Sequence, residues 1–325
     1  TNTNNTAVGY HAGVGITTGV QNTLIGGLSG DALTTGEVNV AVGISALGAE
    51  TAGHHSVAIG NGALTAQNNT TSTNVYNTAV GSLAGNNVTT GLQNVLIGGQ
   101  AGDALTDADH NVAIGYEALT EDRLGSKSVA IGRLALQNQN FTTATDTYNT
   151  AVGYEAGKAV TTGIWNTLIG GLAGDALTDA DYNVAVGQAA LGADTLGSQS
   201  TAIGWGALNA QNFTTATNSN NVAVGYQAGV VVSTGISNTL IGRLAGDKIT
   251  TGSFNICIGQ DADANVAGAD HVIVMGVGIN GSANDFSFGK VSNVVTNDFD
   301  TDANWSRSSD ERLKKNITNQ TLVLD

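Results

Sequence analysis

Short apolar runs recur along the whole chain, each followed by a glycine and then by a polar stretch. The run reads Asn-[Thr/Val]-[Ala/Leu]-[Val/Ile]-Gly, so β-branched residues flank an Ala or a Leu. This alternation predicts a short β-strand with two apolar faces. Both faces need burial. One can line the core of the chain's own fold, and a neighbouring subunit is the simplest candidate to cover the other.

The glycines that end these runs define a repeat. Their spacing is constant for three steps and longer at the fourth, so Gly9, Gly81, Gly153 and Gly225 each open a block of four units. A unit this short cannot bury an apolar face alone, which predicts a solenoid of stacked coils. With about 4.8 Å between strands, the stack would extend roughly 75 Å. The sixteen glycines are Gly9, Gly26, Gly43, Gly60, Gly81, Gly98, Gly115, Gly132, Gly153, Gly170, Gly187, Gly204, Gly225, Gly242, Gly259 and Gly276.

A polar position recurs in register with the glycines. Four residues before each glycine stands Asn in twelve units and Ser in three, at Ser56, Ser128 and Ser200. Stacked coils would align these side chains in a ladder of hydrogen bonds, so we interpret them as structural. The absence of Pro fits this arrangement, because a strand bonded to coils on both sides needs every N–H.

Composition excludes several classes of protein. The chain of 325 residues has 45 Gly and 11% charged residues, yet 41% are hydrophobic, which is too apolar for disorder. The net charge is −15 and no basic stripe occurs, so we expect no nucleic-acid partner. No apolar run approaches the ~18 residues of a membrane span, so no membrane insertion is expected. Cys257 stands alone, which excludes a disulfide framework. We expect no cofactor.

The repeats resemble a known family. The units NTAVGYHAG, NTLIGGLSG, NVAVGISAL and SVAIGNGAL are similar to the head repeats of YadA-like trimeric autotransporter adhesins, and similar repeats occur in phage tail fibres. The resemblance covers residues 1–281 and implies an all-β fold. That fold is a parallel β-solenoid, a left-handed β-roll, in an intertwined or side-by-side homotrimer. We expect sixteen coils over 1–281 and a β-rich connector over 282–308. The units are longer than is usual in that family.

The last segment has a resemblance of its own. SDERLKKNI, which begins at Ser309, looks like the start of the intramolecular chaperone domain that ends many phage tail spikes and tail fibres. The resemblance implies cleavage of the Ser308–Ser309 bond, with Ser309 as nucleophile and Lys314 as general base. A lysine with a depressed pKa can activate a hydroxyl in this way. Because 309–325 is much shorter than such a domain, we expect a truncated, inactive remnant.

The longer units carry inserts at 65–76, 137–148 and 209–220. Each is expected to protrude once in four coils, and loops on a rigid scaffold are good binding candidates. Aromatic rings beside Asn, Gln and Thr suit contacts with sugars. The alternative is that the inserts only cover the surface or pack on each other. The candidate ligand-binding residues are Tyr76, Phe141, Tyr148 and Phe213.

Metal binding and glycan cleavage have weaker signals. GGLSGD and its copies faintly resemble a calcium-binding glycine-rich repeat, but they lie four coils apart, so no metal site is expected. A glycan depolymerase would need paired carboxylates in a groove. The glutamates, including Glu50, Glu117, Glu121 and Glu155, show no recurrence, and we do not expect an enzyme apart from the remnant above. The weak calcium candidates are Asp31, Asp103, Asp175 and Asp247.

These features together favour a structural and receptor-binding fibre protein of a phage or phage-like particle. It would lie outside the cell on the virion surface and attach to a host glycan or protein receptor through repeated, individually weak contacts. The alternative is the head domain of a bacterial trimeric autotransporter adhesin on a bacterial cell surface. The final segment disfavours that alternative, and so does the absence of coiled-coil heptads. A glycan depolymerase is the third hypothesis.

Overall fold

Strands are the regular elements of the described chain. The computed structural model describes residues 3–300, 306 and 307. In chain order the strands are β1 (Thr6–Val8), β2 (Thr23–Ile25), β3 (Val40–Val42), β4 (Gly53–His54), β5 (Val57–Ile59), β6 (Thr73–Asn74), β7 (Thr78–Val80), β8 (Val95–Ile97), β9 (Val112–Ile114), β10 (Gly125–Ser126), β11 (Val129–Ile131), β12 (Thr145–Asp146), β13 (Thr150–Val152), β14 (Thr167–Ile169), β15 (Val184–Val186), β16 (Gly197–Ser198), β17 (Thr201–Ile203), β18 (Thr217–Asn218), β19 (Val222–Val224), β20 (Thr239–Ile241), β21 (Ile256–Ile258), β22 (Asp263–Ala264), β23 (Ile273–Val277), β24 (Asn280–Gly281), β25 (Asp285–Lys290), β26 (Asn293–Asp298) and β27 (Ser306–Arg307).

The strands that precede the repeat glycines stack into one long parallel sheet. Each strand pairs with the equivalent strand of the next coil in repeat register, as in the pair Leu168 and Ala185. The result is an all-β, parallel β-solenoid of about 17 turns, which confirms the predicted fold class. The parallel stack continues past residue 281, because β25 pairs with β23 in parallel. The antiparallel strand β26 then folds back on β25.

The central residue of each strand in the long sheet points into the core of the solenoid. This residue is Ala or Leu in most coils and is fully buried in the repeat coils from β2 onward, whereas Ala7 in β1 is exposed. Large and small residues compensate each other: a Cβ at Gly157 or Gly174 would lie 2.7 or 2.8 Å from a methyl carbon of Leu168. In later coils the strand centre is Ala, and buried leucines such as Leu191 fill the equivalent turn position. The four-coil period is therefore a packing period of the core.

The two residues that flank each strand centre form what we call the outer face of the long sheet. They are Thr, Val, Ile or Met in every repeat coil, and none is charged. Nothing in the described chain covers this face, and Ile169, for example, remains 39% exposed. The prediction that one apolar face is left without an intrachain partner is therefore confirmed. Exposed apolar stripes of this length mark interaction surfaces in soluble proteins.

The recurring polar position forms the expected ladder. Asn166 is fully buried, and its Oδ1 accepts the backbone N–H of Asn183 in the next coil at 3.0 Å. Its Nδ2 donates to the carbonyl oxygen of Ala180 at 2.7 Å. The same two bonds recur along the stack, so each Asn joins neighbouring coils and satisfies a turn carbonyl.

Candidate functional site

A buried carboxylate holds the second insert against the solenoid. Asp122 has no exposed surface, and its Oδ1 accepts the backbone N–H groups of Gly125 and Phe141 at 3.1 and 3.0 Å. Its Oδ2 accepts the side-chain amide of Gln139 at 2.6 Å. Burial raises the pKa of Asp122, and these hydrogen bonds oppose that rise. The buried Asp122 carboxylate therefore anchors the second insert to the solenoid through Gln139 and Phe141.

The same arrangement occurs in the first and third blocks, so buried acids recur once in every four coils. Glu50 accepts the N–H of Asn69, and Asp194 accepts that of Phe213, both at 3.0 Å. Each acid also receives the amide of a glutamine in the next coil. This recurrence was missed in the sequence, because it mixes Glu with Asp. The signal in the sequence is a Glu or Asp seven residues after the repeat glycine of one coil, with Gln at the same position of the next coil.

The inserts protrude only at short tips, and the candidate ligand-binding residues Phe141 and Phe213 are buried rather than exposed. Phe141 and Phe213 are 7% and 6% exposed, because the acids draw the backbone of each insert inward. Each insert also contains a two-residue strand that pairs in parallel with the preceding coil, β12 with β10 for example. The exposed parts are short tips such as 142–144. Phe141 and Phe213 are therefore packing residues in this structure.

Tyr76 and Tyr148 lie at the surface, where their rings stack along the solenoid. Tyr76 stacks on His55 with ring centroids 5.0 Å apart. Tyr148 stacks on Trp165 at 4.3 Å, and Trp165 is followed by Tyr182 at 6.4 Å. The structure thus adds Trp165 and Tyr182 to the exposed aromatic residues. Because stacked rings cover each other's faces, this column presents mainly ring edges to a partner.

The weak calcium candidates are not brought together. Asp31, Asp103, Asp175 and Asp247 occupy equivalent positions four coils apart, roughly 19 Å at the spacing of parallel strands. Within residues 3–300 and 306–307, no group of three or more His, Cys, Asp or Glu side chains is placed to hold a metal ion.

The predicted cleavage residues cannot be placed. Ser309, Lys314 and the Ser308–Ser309 bond lie outside the described residues. No helix in the described ranges is long and apolar enough to cross a membrane.

No protein-family model matches this chain, and no curated protein matches it.

A carboxylate replaces a core leucine near the end of the solenoid. Asp263 is 1% exposed at a turn position that is a fully buried leucine in the preceding blocks, as at Leu191. Its Oδ2 accepts the backbone N–H of Lys248 at 3.0 Å and lies 3.5 Å from the Lys248 ammonium. Burial, and then a hydrogen bond that protonated Asp263 donates to Asp247, raise the pKa of Asp263 to about 7, and Lys248 opposes the rise.

The raised pKa of Asp263 predicts that the end of the solenoid is more stable at low pH than at high pH. The stabilisation is complete below the unfolded pKa near 3.8 and is lost as the pH rises through about 7. We expect the free energy of opening of the last coils to fall by about 2–3 kcal/mol between pH 5 and pH 8. Amide hydrogen exchange over 256–281, corrected for intrinsic rates, measures this change.

Two variants test the cause of that pH dependence. Asp263→Asn removes the titrating group and should flatten the profile, whereas the exposed neighbour Asp270→Asn should keep it. A profile that persists in Asp263→Asn would assign the effect to another group.

Proposed function

We propose that this protein is a structural and receptor-binding fibre protein of a phage or phage-like particle, which attaches to a host surface as a homotrimer. The observation that carries the proposal is the outer face, an uncharged apolar stripe that runs along every repeat coil. A partner with the same repeat can match this stripe coil by coil, and a second and third copy of the chain have that repeat by definition.

The architecture supports a mechanical and display role. Each coil is joined to the next by in-register strands and by the Asn ladder, so the solenoid is stabilised along its whole length. Short insert tips emerge from this scaffold in each of the first three blocks. In a trimer they would form a regular array, and weak contacts repeated in such an array add by avidity.

Charges on the outer face test the association. The double variant Ile169→Glu and Ile203→Glu places carboxylates on two exposed positions of this face. We expect it to sediment as a monomer, because an unpaired charge in an apolar interface costs several kcal/mol. The control is Ala144→Glu on the exposed tip of an insert, which should leave the assembly unchanged.

Binding to envelope fragments from a panel of bacteria then tests the attachment. The unmodified trimeric chain should bind one host's fragments, and the outer-face double variant should bind about 10²–10⁴-fold more weakly. Equal binding by the double variant would contradict multivalent attachment, and binding to no host would contradict a receptor-binding role.

A further inference from the structure

Gly171, in the third block, lies one coil after Tyr154, and nothing in the described chain requires a glycine at this position. Gly171 does not have the positive φ that requires this residue, and a Cβ there would meet only the carbonyl oxygen of Tyr154, at 3.9 Å. The chain itself therefore leaves this space open. Glycine outside strained turns serves the close approach of another group to the backbone.

The ring of Tyr154 is held in place beside this space. The Arg133 guanidinium lies over the ring, 5.6 Å from its centroid, and Nη1 donates to the Tyr154 hydroxyl at 3.2 Å. Arg133 comes from the coil before Tyr154, and Gly171 lies in the coil after it. Arg133 thus covers the ring from the side of the preceding coil, and within the described residues no other ring stacks on Tyr154, which is 51% exposed.

The far side of the gap carries an oriented amide. Gln188 follows Gly171 in the same column, and its Oε1 accepts the indole N–H of Trp205 at 2.8 Å. Trp205 is itself fixed by stacking on Tyr226, with centroids 5.2 Å apart. The Gln188 amide N–H₂ and the Gly171 backbone N–H have no hydrogen-bond partner in the part of the chain that the structure describes.

These four positions, Tyr154, Gly171, Gln188 and Trp205, form what we call the glycine slot. Tyr154 and Gln188 are two coils apart, roughly 10 Å at the spacing of parallel strands. Apolar contacts have their optimum at about 3.5–4 Å, so one saturated six-membered ring fits between them. Its C–H groups would meet the negative face of the Tyr154 ring, and its hydroxyls would meet the unpaired N–H donors.

We propose that the glycine slot binds one pyranose ring of a surface glycan, stacked on Tyr154 and hydrogen-bonded to Gln188 and Gly171. This inference rests on the proposed attachment function and names the class of its receptor. The other blocks differ at the slot positions. Ile44 and Asn61 stand where the third block has Gln188 and Trp205, and in the second block the Tyr116 ring already lies against Gly99.

Saturation-transfer NMR with the intact chain tests the slot. The probes are the methyl glycosides of glucose, galactose, mannose, N-acetylglucosamine and rhamnose. We expect transfer to the C–H face of at least one of them. Gly171→Val fills the gap and Tyr154→Ala removes the platform, and both should weaken binding at least tenfold. The matched control is Ser82→Val, which adds the same side chain to the same column away from the slot.

The outcomes separate this inference from the proposed function. Weaker sugar binding in Gly171→Val and Tyr154→Ala, with an unchanged sedimentation profile and an unaffected Ser82→Val, supports the slot. Equal binding by Gly171→Val, or no transfer to any of the five probes, overturns it, while host attachment and trimer formation remain testable by the assays above. A Gly171→Val chain that loses its oligomeric state also overturns it, because the slot would then hold a side chain of a second copy.

Discussion

Gly170→Ala is expected to destabilise the solenoid by about 3 kcal/mol or more, because the repeat glycine has no room for a methyl group. Gly170 has φ of 134°, and a Cβ there would lie 2.6 Å from the carbonyl oxygen of Gly187 in the next coil. Neither the backbone nor the neighbouring coil can move without breaking the parallel pairing on both sides. Chemical denaturation monitored by far-ultraviolet circular dichroism measures the loss.

The next residue is a matched control for that prediction. Gly171→Ala adds the same methyl group where only one atom lies within 4 Å and φ is not positive. We expect a change of at most about 0.5 kcal/mol, as for other surface substitutions. Equal losses in the two variants would contradict the close approach of neighbouring repeat glycines.

Asp122→Ala is expected to cost about 3–5 kcal/mol and to release the second insert. The substitution leaves the Gln139 amide and the N–H groups of Gly125 and Phe141 without an acceptor in a buried site. We expect Phe141 to become exposed, since its backbone N–H is anchored by this carboxylate. Hydrogen exchange over 137–148 reports the release, and denaturation reports the loss of stability.

Two further variants separate the buried hydrogen bonds from charge alone. Asp122→Asn keeps one acceptor oxygen, so its cost should lie between zero and that of Asp122→Ala. Glu121→Ala removes an exposed carboxylate from the neighbouring position and should change stability by less than about 0.5 kcal/mol. If Asp122→Ala were as mild as Glu121→Ala, the acid would not be what holds the insert.

The stacking of the coils could be predicted because it depends on residues that repeat with little change. Gly170 and Gly187 are one coil apart, as are Asn166 and Asn183, and a parallel register brings such pairs together. The unpaired outer face followed from the same pattern, since two apolar faces on one strand cannot both line one narrow core.

The buried acids and the placement of the inserts could not be predicted from this pattern. Glu50 and Asp122 play the same part with different side chains, so a search for identical residues does not connect them. The polar neighbours of Phe141 suggested a solvated loop, but the decisive interaction is a hydrogen bond to its backbone. Asp263 replaces a leucine that is buried at the equivalent turn position of the earlier blocks, and this equivalence is recognised only when the coils are aligned by their turns.

The glycine slot depends on what surrounds a residue rather than on its type. Gly170 and Gly171 are adjacent in the sequence, yet one is required by the next coil and the other has open space beside it. A sequence pattern assigns both to the same turn. Only the structure shows that Gly171 leaves open space in the coil after Tyr154, whose ring carries Arg133 from the coil before.

Sedimentation equilibrium of the unmodified chain tests the central claim most directly, which is that the outer face joins three copies. The chain has a mass of 32.6 kDa, so the account predicts a single species of about 98 kDa at micromolar concentration. A species of 32.6 kDa that persists as concentration is raised would contradict it, because the apolar outer face would then be stable in water without a partner.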